Sequence, residues 1–191
     1  MAYYFTEFPK TNYSLKKNKN FELLTNVTLR YKLRDTIKNK SAIYYDYIVQ
    51  DSDRPDIIAE KYYDDSRLDW IIFLVNDIVD PYYDWPLNEQ AFKDYMKSIY
   101  GSTSAAHQTV HTYRKIINQQ KVISSGIIIP KRTVNVDLNT YNSLVATERE
   151  SISGYDYYFE ENEKKRKIKI LDKSFVPSIV REVELIFSGL D

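Results

Sequence analysis

Cysteine is absent from this 191-residue chain. Disulfides, thiolate metal sites and cysteine nucleophiles are thereby excluded, and the lack fits a reducing compartment. Glycine is scarce: Gly101, Gly126, Gly154 and Gly189 are the only four, where ordinary usage would supply about 13. They stand too far apart to build a glycine-rich phosphate loop. Neither sign of charge is in excess, since 27 lysines and arginines balance 27 acids. A neutral chain has no general attraction for nucleic acid or an anionic membrane. No run of 18 uncharged apolar residues occurs, so no spanning segment is expected. Residues 1–8 lack a basic stretch followed by an apolar one, so no secretory signal is expected either.

What the chain has is tyrosine, 18 of them beside 8 phenylalanines. Tyrosine offers a large rigid contact area with a polar tip, and it is favoured where a surface is covered by a partner. The composition, 43% apolar and 28% charged, supports one domain or two small ones rather than disorder.

Chemistry-bearing patterns are few. His107 and His111 are the only histidines, spaced i,i+4, but the residues between them are not those of a metalloprotease helix, and both are expected to face solvent or a partner. No G-x-S-x-G elbow occurs. Adjacent acids such as Asp64-Asp65 and Glu160-Glu161 read as solvated faces rather than a catalytic pair. The basic run Lys164-Lys165-Arg166-Lys167 follows Glu160, Glu161 and Glu163, which neutralise it. No catalytic residue, metal ligand or cofactor is expected.

Along the chain, residues 1–26 carry no clean period and read as an extended N-terminal arm, with the aromatic Tyr3, Tyr4 and Phe5 as contact candidates. Residues 27–101 form a first domain. Val27, Leu29, Tyr31 and Leu33 alternate with polar residues as in a strand, and Tyr44–Val49 is a second β-rich run. Two helices follow. Asp53 and Pro55 open the first, Ser66 the second, whose body Leu68–Val75 is apolar nearly all round. Asp80-Pro81-Tyr82-Tyr83-Asp84-Trp85-Pro86 then breaks the pattern. Two prolines stiffen three aromatics, making Tyr82, Tyr83 and Trp85 contact candidates. A helix capped by Asn88 and ended by Gly101 closes this part. Residues 102–106 read as a linker. The remainder, 107–191, is β-rich from Thr109 to Leu138. It then becomes helical over 155–166, where three Glu-to-Lys i,i+4 pairs outweigh the strand-like Tyr155, Tyr157 and Phe159. A short strand at Ile168–Leu171 follows, and an amphipathic helix on Val176, Ile179, Val180, Val183, Ile186 and Phe187 ends the chain.

Two resemblances rest on these residues. Tyr47-Ile48-Val49, Asp53, Ile58-Ala59, Tyr62 and Asn76-Asp77-Ile78 resemble a LysM module, whose β-α-α-β fold often binds N-acetylglucosamine polymers in a groove between two loops. Carried over, the groove would be Asp51, Ser52 and Asp53 with Asn76, Asp77 and Ile78. Ser52 stands where sugar-binding modules have glycine, and Pro81-Tyr82-Tyr83 is bulky where they have small residues, so protein docking is implied in place of glycan binding. More widely, Asp53-Arg54-Pro55-Asp56, Leu68-Asp69-Trp70, the run Asn76–Leu87 and the run Asn162–Ile170 resemble the small baseplate wedge proteins of T4-like contractile-tailed bacteriophages. That resemblance implies a structural, non-enzymatic role in the virion's tail baseplate, assembled in the host cytoplasm. Its implied partners are other wedge proteins, neighbouring wedges and the central hub or tail-tube proteins, with no nucleic acid and no membrane. The fold class expected is α+β: a LysM-like β-α-α-β module with an extended arm and a β-rich plus helical C-terminal part.

Overall fold

Two hydrophobic clusters organise the chain, each within its own unit. One unit comprises residues up to Pro86 together with those from Lys165 onward; the other is Leu87–Lys164. The computed structural model describes residues 8–14, 21–30, 32–33, 43–123 and 126–188. The expectations for Tyr3, Tyr4 and Phe5 lie outside the described residues. Helices and strands are mixed, as the α+β class requires. Among the described residues no helix is long and apolar enough to cross a membrane.

In the first unit, β1 (Lys10–Tyr13) and β2 (Glu22–Thr25) pair antiparallel. The segment expected as a single extended arm therefore doubles back. Phe8 is buried, its ring centroid 4.4 Å from that of Phe187. The strand expected over 27–33 does not form among the described residues of that segment. Asn26 Oδ1 accepts from Thr28 N at 3.2 Å and from Thr28 Oγ1 at 2.6 Å, and this local bonding holds the chain in a turn. The apolar spacing still serves the core: Leu33 is buried and Leu29 packs against it.

β3 (Tyr44–Ile48) begins the main body. α1 (Pro55–Tyr63) follows, with Pro55 in its first turn and Asp56 near its positive end. Asp53 does not cap it: the N-cap is Arg54, without a side-chain bond. Ser66 does not cap the next element either. That role falls to Asp65, whose carboxylate accepts from Arg67 N ahead of a 3-10 turn at Ser66–Leu68. α2 (Asp69–Val75) buries Trp70, Ile71, Ile72 and Val75, as its apolar run requires. The proline-bracketed segment forms a single turn, α3 (Pro81–Asp84), with Asp80 capping through Tyr82 N.

The second unit starts with α4 (Glu89–Tyr100). Asn88 Oδ1 accepts from Ala91 N, and Gly101 ends the helix in the left-handed region at φ 81°. Residues 102–106 are not a linker. Ser102 caps α5 (Thr103–Gln108), and Ala106 is buried against Phe92 and Met96. The small residues read as loop composition are what allow this helix to approach α4. β4 (Val110–Asn118) runs to a tip formed by β5 (Lys121–Val122) and β6 (Ile128–Ile129), and returns as β7 (Arg132–Val136). α6 (Leu138–Ser143) leads to β8 (Arg149–Ser153), which completes a three-stranded antiparallel sheet in the order β7-β4-β8. α7 (Gly154–Lys165) begins at once. Gly154 is required there, because a Cβ would run into the Tyr100 ring.

The chain then re-enters the first unit. β9 (Lys167–Leu171) pairs antiparallel with β3, from Tyr44↔Leu171 to Ile48↔Lys167. Backbone bonds from Val49 N to Arg166 O and from Asp172 N to Ile43 O extend this ladder at both ends. α8 (Val176–Ser188) buries Val176, Ile179, Val183 and Phe187, while Ile186 lies outside the stripe expected for it. This division cuts the chain differently from the linear partition 27–101 and 107–191, because Ile168, Ile170 and Leu171 bury against a strand more than 100 positions earlier.

Candidate partner-contact surfaces

The aromatic turn is held from beneath. Asp84 Oδ2 accepts from Val79 N and from Asp80 N, each at 3.0 Å, and these two bonds keep its carboxyl below the usual carboxylate range. Asp80 Oδ1 accepts from Tyr82 N at 3.0 Å, and Lys165 Nζ donates to the Tyr83 carbonyl. The three aromatics then part company. Trp85 is half-buried, edge-on to Phe73 at 6.3 Å, and its Nε1 donates to the Asp53 carbonyl at 3.4 Å. Tyr82 and Tyr83 stand 89% and 72% exposed, with Val79 exposed nearby in sequence. Residues 76–86 contain three acids, against which stands Lys165 at the Tyr83 carbonyl, so this corner is apolar with mainly acidic flanks.

The groove candidates are spent on the fold. Asp53 Oδ2 accepts from Tyr47 Oη and from Gln50 N, each at 2.7 Å. Burial, reinforced by this bond, pushes the Tyr47 hydroxyl up to about 12. Asp51 accepts from Arg166 Nη2 at 2.6 Å, and Arg166 Nη1 donates to the Val49 carbonyl. Asn76 Nδ2 donates to the carbonyls of Ile72 at 2.9 Å and Lys169 at 2.8 Å, while its Oδ1 accepts from Lys169 N at 2.7 Å. It therefore ties the end of α2 to β9. Asp77 takes a left-handed φ of 55°, and Ile78 N donates to Phe73 O. Ser52 is exposed. Among the described residues, no buried side-chain polar atom lacks a hydrogen-bond partner, and no group of three His, Asp or Glu is arranged to hold a metal ion.

The histidines sit on different elements, His107 on α5 and His111 on β4. Each ring stacks on a tyrosine at 3.9 Å, Tyr155 and Tyr157 respectively. The basic run is engaged within the chain: Lys164 with Glu161, Lys165 with the Tyr83 carbonyl, Arg166 with Asp51.

Sequence reading missed a third surface, the β5–β6 tip. Val122 pairs with Ile128 and Lys121 with Ile129, so these pairs point to opposite faces. Ile123 N donates to Ile127 O at 3.0 Å, closing the end. Val122, Ile123, Ile127, Ile128 and Ile129 are all exposed, Val122 at 67% and Ile128 at 59%. The available signal was the run Ile127-Ile128-Ile129, which lacks polar alternation. That pattern belongs to strands covered on two faces, and this hairpin has no cover on either.

Known proteins bear on these surfaces. A family profile described as "Base plate wedge protein 53" matches residues 3–126. A baseplate wedge protein, gp53 of Enterobacteria phage T4, is 25% identical over 186 residues, covering 94% of this chain and 93% of its own length.

Proposed function

Because this chain belongs to the base plate wedge protein 53 family, a family of structural components of the virion tail baseplate, we propose that it joins wedge subunits to one another and helps neighbouring wedges close around the central hub. One observation carries the proposal. Among the exposed apolar side chains, two groups stand close together in the chain, at the Tyr82–Tyr83 corner and at the β5–β6 tip, while the polar groups of the groove are engaged by the chain itself. A surface built this way is suited to being covered by protein. Assembly takes place in the host cytoplasm, with other wedge proteins and the hub or tail-tube proteins as partners. The test is co-expression with the remaining wedge proteins of the same phage, followed by affinity recovery. Tyr83→Asp should reduce co-recovery at least tenfold, and undiminished recovery would overturn the role given to this corner.

A second reading, a LysM-type glycan site, has one observation in its favour. β3, α1, α2 and β9 follow in the order strand, helix, helix, strand, with β9 antiparallel to β3. On this reading the module is split, its closing strand supplied after the second unit. The bonds made by Asp53, Asp51 and Asn76 leave little for a saccharide to engage, so a protein-docking module is favoured. Retention on peptidoglycan sacculi that is lost with Asp53→Ala would reverse that preference.

A further inference from the structure

We propose that the β5–β6 tip of one copy docks on the Tyr82–Tyr83 corner of a second copy, head to tail. The inference names one partner within the assembly role above and rests on that reading. Two observations carry it.

The first is that the tip is unfinished as a structure. It continues the β4–β7 pair beyond the end of β8, so no third strand flanks it among the described residues, and it presents aliphatic side chains on both faces, Val122 and Ile128 on one, Ile129 on the other. Such a hairpin leaves apolar surface for a partner's apolar side chains to cover. The second is charge. From residue 118 to 136 there are three cations, Lys121, Lys131 and Arg132, and no acid. Lys131 already pairs with Glu150, which leaves Lys121 and Arg132 as the tip's basic collar. The corner offers the converse, exposed Val79, Tyr82 and Tyr83 flanked by Asp77, Asp80 and Asp84, three acids against Lys165, which reaches the Tyr83 carbonyl. Apolar meets apolar, and the flanking signs are opposite, an arrangement that selects register and suppresses wrong pairings.

Tip and corner are different patches, so the contact is not self-complementary. Repetition of one such contact generates a closed ring where the rotation permits and an open row where it does not. The patches are small, which places the contact at the weak end of specific interfaces. It would be strengthened where other subunits hold the copies side by side.

The experiment uses the full chain in analytical ultracentrifugation, with two variants at exposed positions, Ile128→Asp in the tip and Tyr82→Asp in the corner. The wild type should self-associate at high micromolar concentration, and less so at high salt. Each variant alone should be monomeric. An equimolar mixture should give a dimer that grows no further, because the intact tip of one variant meets the intact corner of the other and both remaining patches are blocked. A wild type that stays monomeric, a variant that associates as the wild type does, or a mixture that remains monomeric overturns the proposal. Circular dichroism checks that both variants are folded; should Ile128→Asp not be, Lys121→Glu takes its place and should weaken association at least tenfold. A monomeric wild type that still recovers wedge proteins refutes the pairing and leaves the assembly role standing.

Discussion

Asn76 shows how much one side chain can decide. Its amide both donates and accepts, joining α2 to β9 through three bonds. Asn76→Asp keeps the shape but sets a carboxylate against two carbonyls, and a repelled, half-buried group costs more than a lost bond. A loss of about 2–3 kcal/mol in denaturant unfolding is expected. Asp65 gives a pH-dependent counterpart. It is buried and accepts from Arg67 N at 3.0 Å and from Arg67 Nε and Nη2 at 2.8 Å each. The Arg67 guanidinium holds its carboxyl below the usual range. A depressed carboxylate stabilises the fold above its unfolded value near 4, and the contribution fades as pH falls through the folded value. Asp65→Asn should therefore cost about 1–2 kcal/mol at neutral pH, with the gap to wild type closing in unfolding curves recorded below about pH 4. Neither Asn76's bonds nor Asp65's cap was legible in sequence. Asn76 was read as a groove residue because its true partner, Lys169, lies 93 positions away.

At the scale of elements, legibility followed the range of the forces. α4 was readable from its own ends, Asn88 and Gly101, and α8 from its apolar stripe. α7 was readable for partly mistaken reasons. The Glu-to-Lys pairs that argued for it are redirected: Glu160 bonds Arg114, Lys164 turns to Glu161, and Lys165 reaches the Tyr83 carbonyl. The helix forms because Tyr155 and Tyr158 pack on Phe92, Met96 and Tyr100, a tertiary gain that local charge pairing happened to accompany. α5 shows the opposite error. Ser102 and the two alanines contained a cap and good helix formers, but composition alone resembled a linker. α2 is the element on which the first unit depends most heavily, and Trp70 is its largest buried side chain. Trp70→Ala should cost about 3–5 kcal/mol, measurable as a shift of the urea midpoint with little change in slope.

At the scale of the whole molecule, stability and assembly should separate. Tyr83 is exposed, and what the chain takes from it is its backbone carbonyl. Tyr83→Ala should leave the unfolding free energy within about 0.5 kcal/mol of wild type, while lowering incorporation into wedge complexes by tenfold or more. Equal loss in both measurements would make the turn a cover for its own core. The exposure of Tyr82 and Tyr83 could be read from sequence because prolines and acids fix the turn locally, whereas the inward turn of Trp85 onto Phe73 could not. The exposure of the tip could not either, since it depends on which elements pack beside it in the fold.

The pairing of β3 with β9 also sets an order of events during synthesis. Everything needed for the second unit has left the ribosome once Lys164 is out, whereas the first unit still lacks β9, the partner of β3, and the helix α8. The earlier-made part must wait, with Ile58, Ile71 and Ile72 uncovered, until the final segment arrives. Folding from the amino end first, the usual habit of nascent chains, is reversed here: the insertion matures before its host, and the interval before β9 emerges is when the polypeptide is most open to chaperones or to misdirected association.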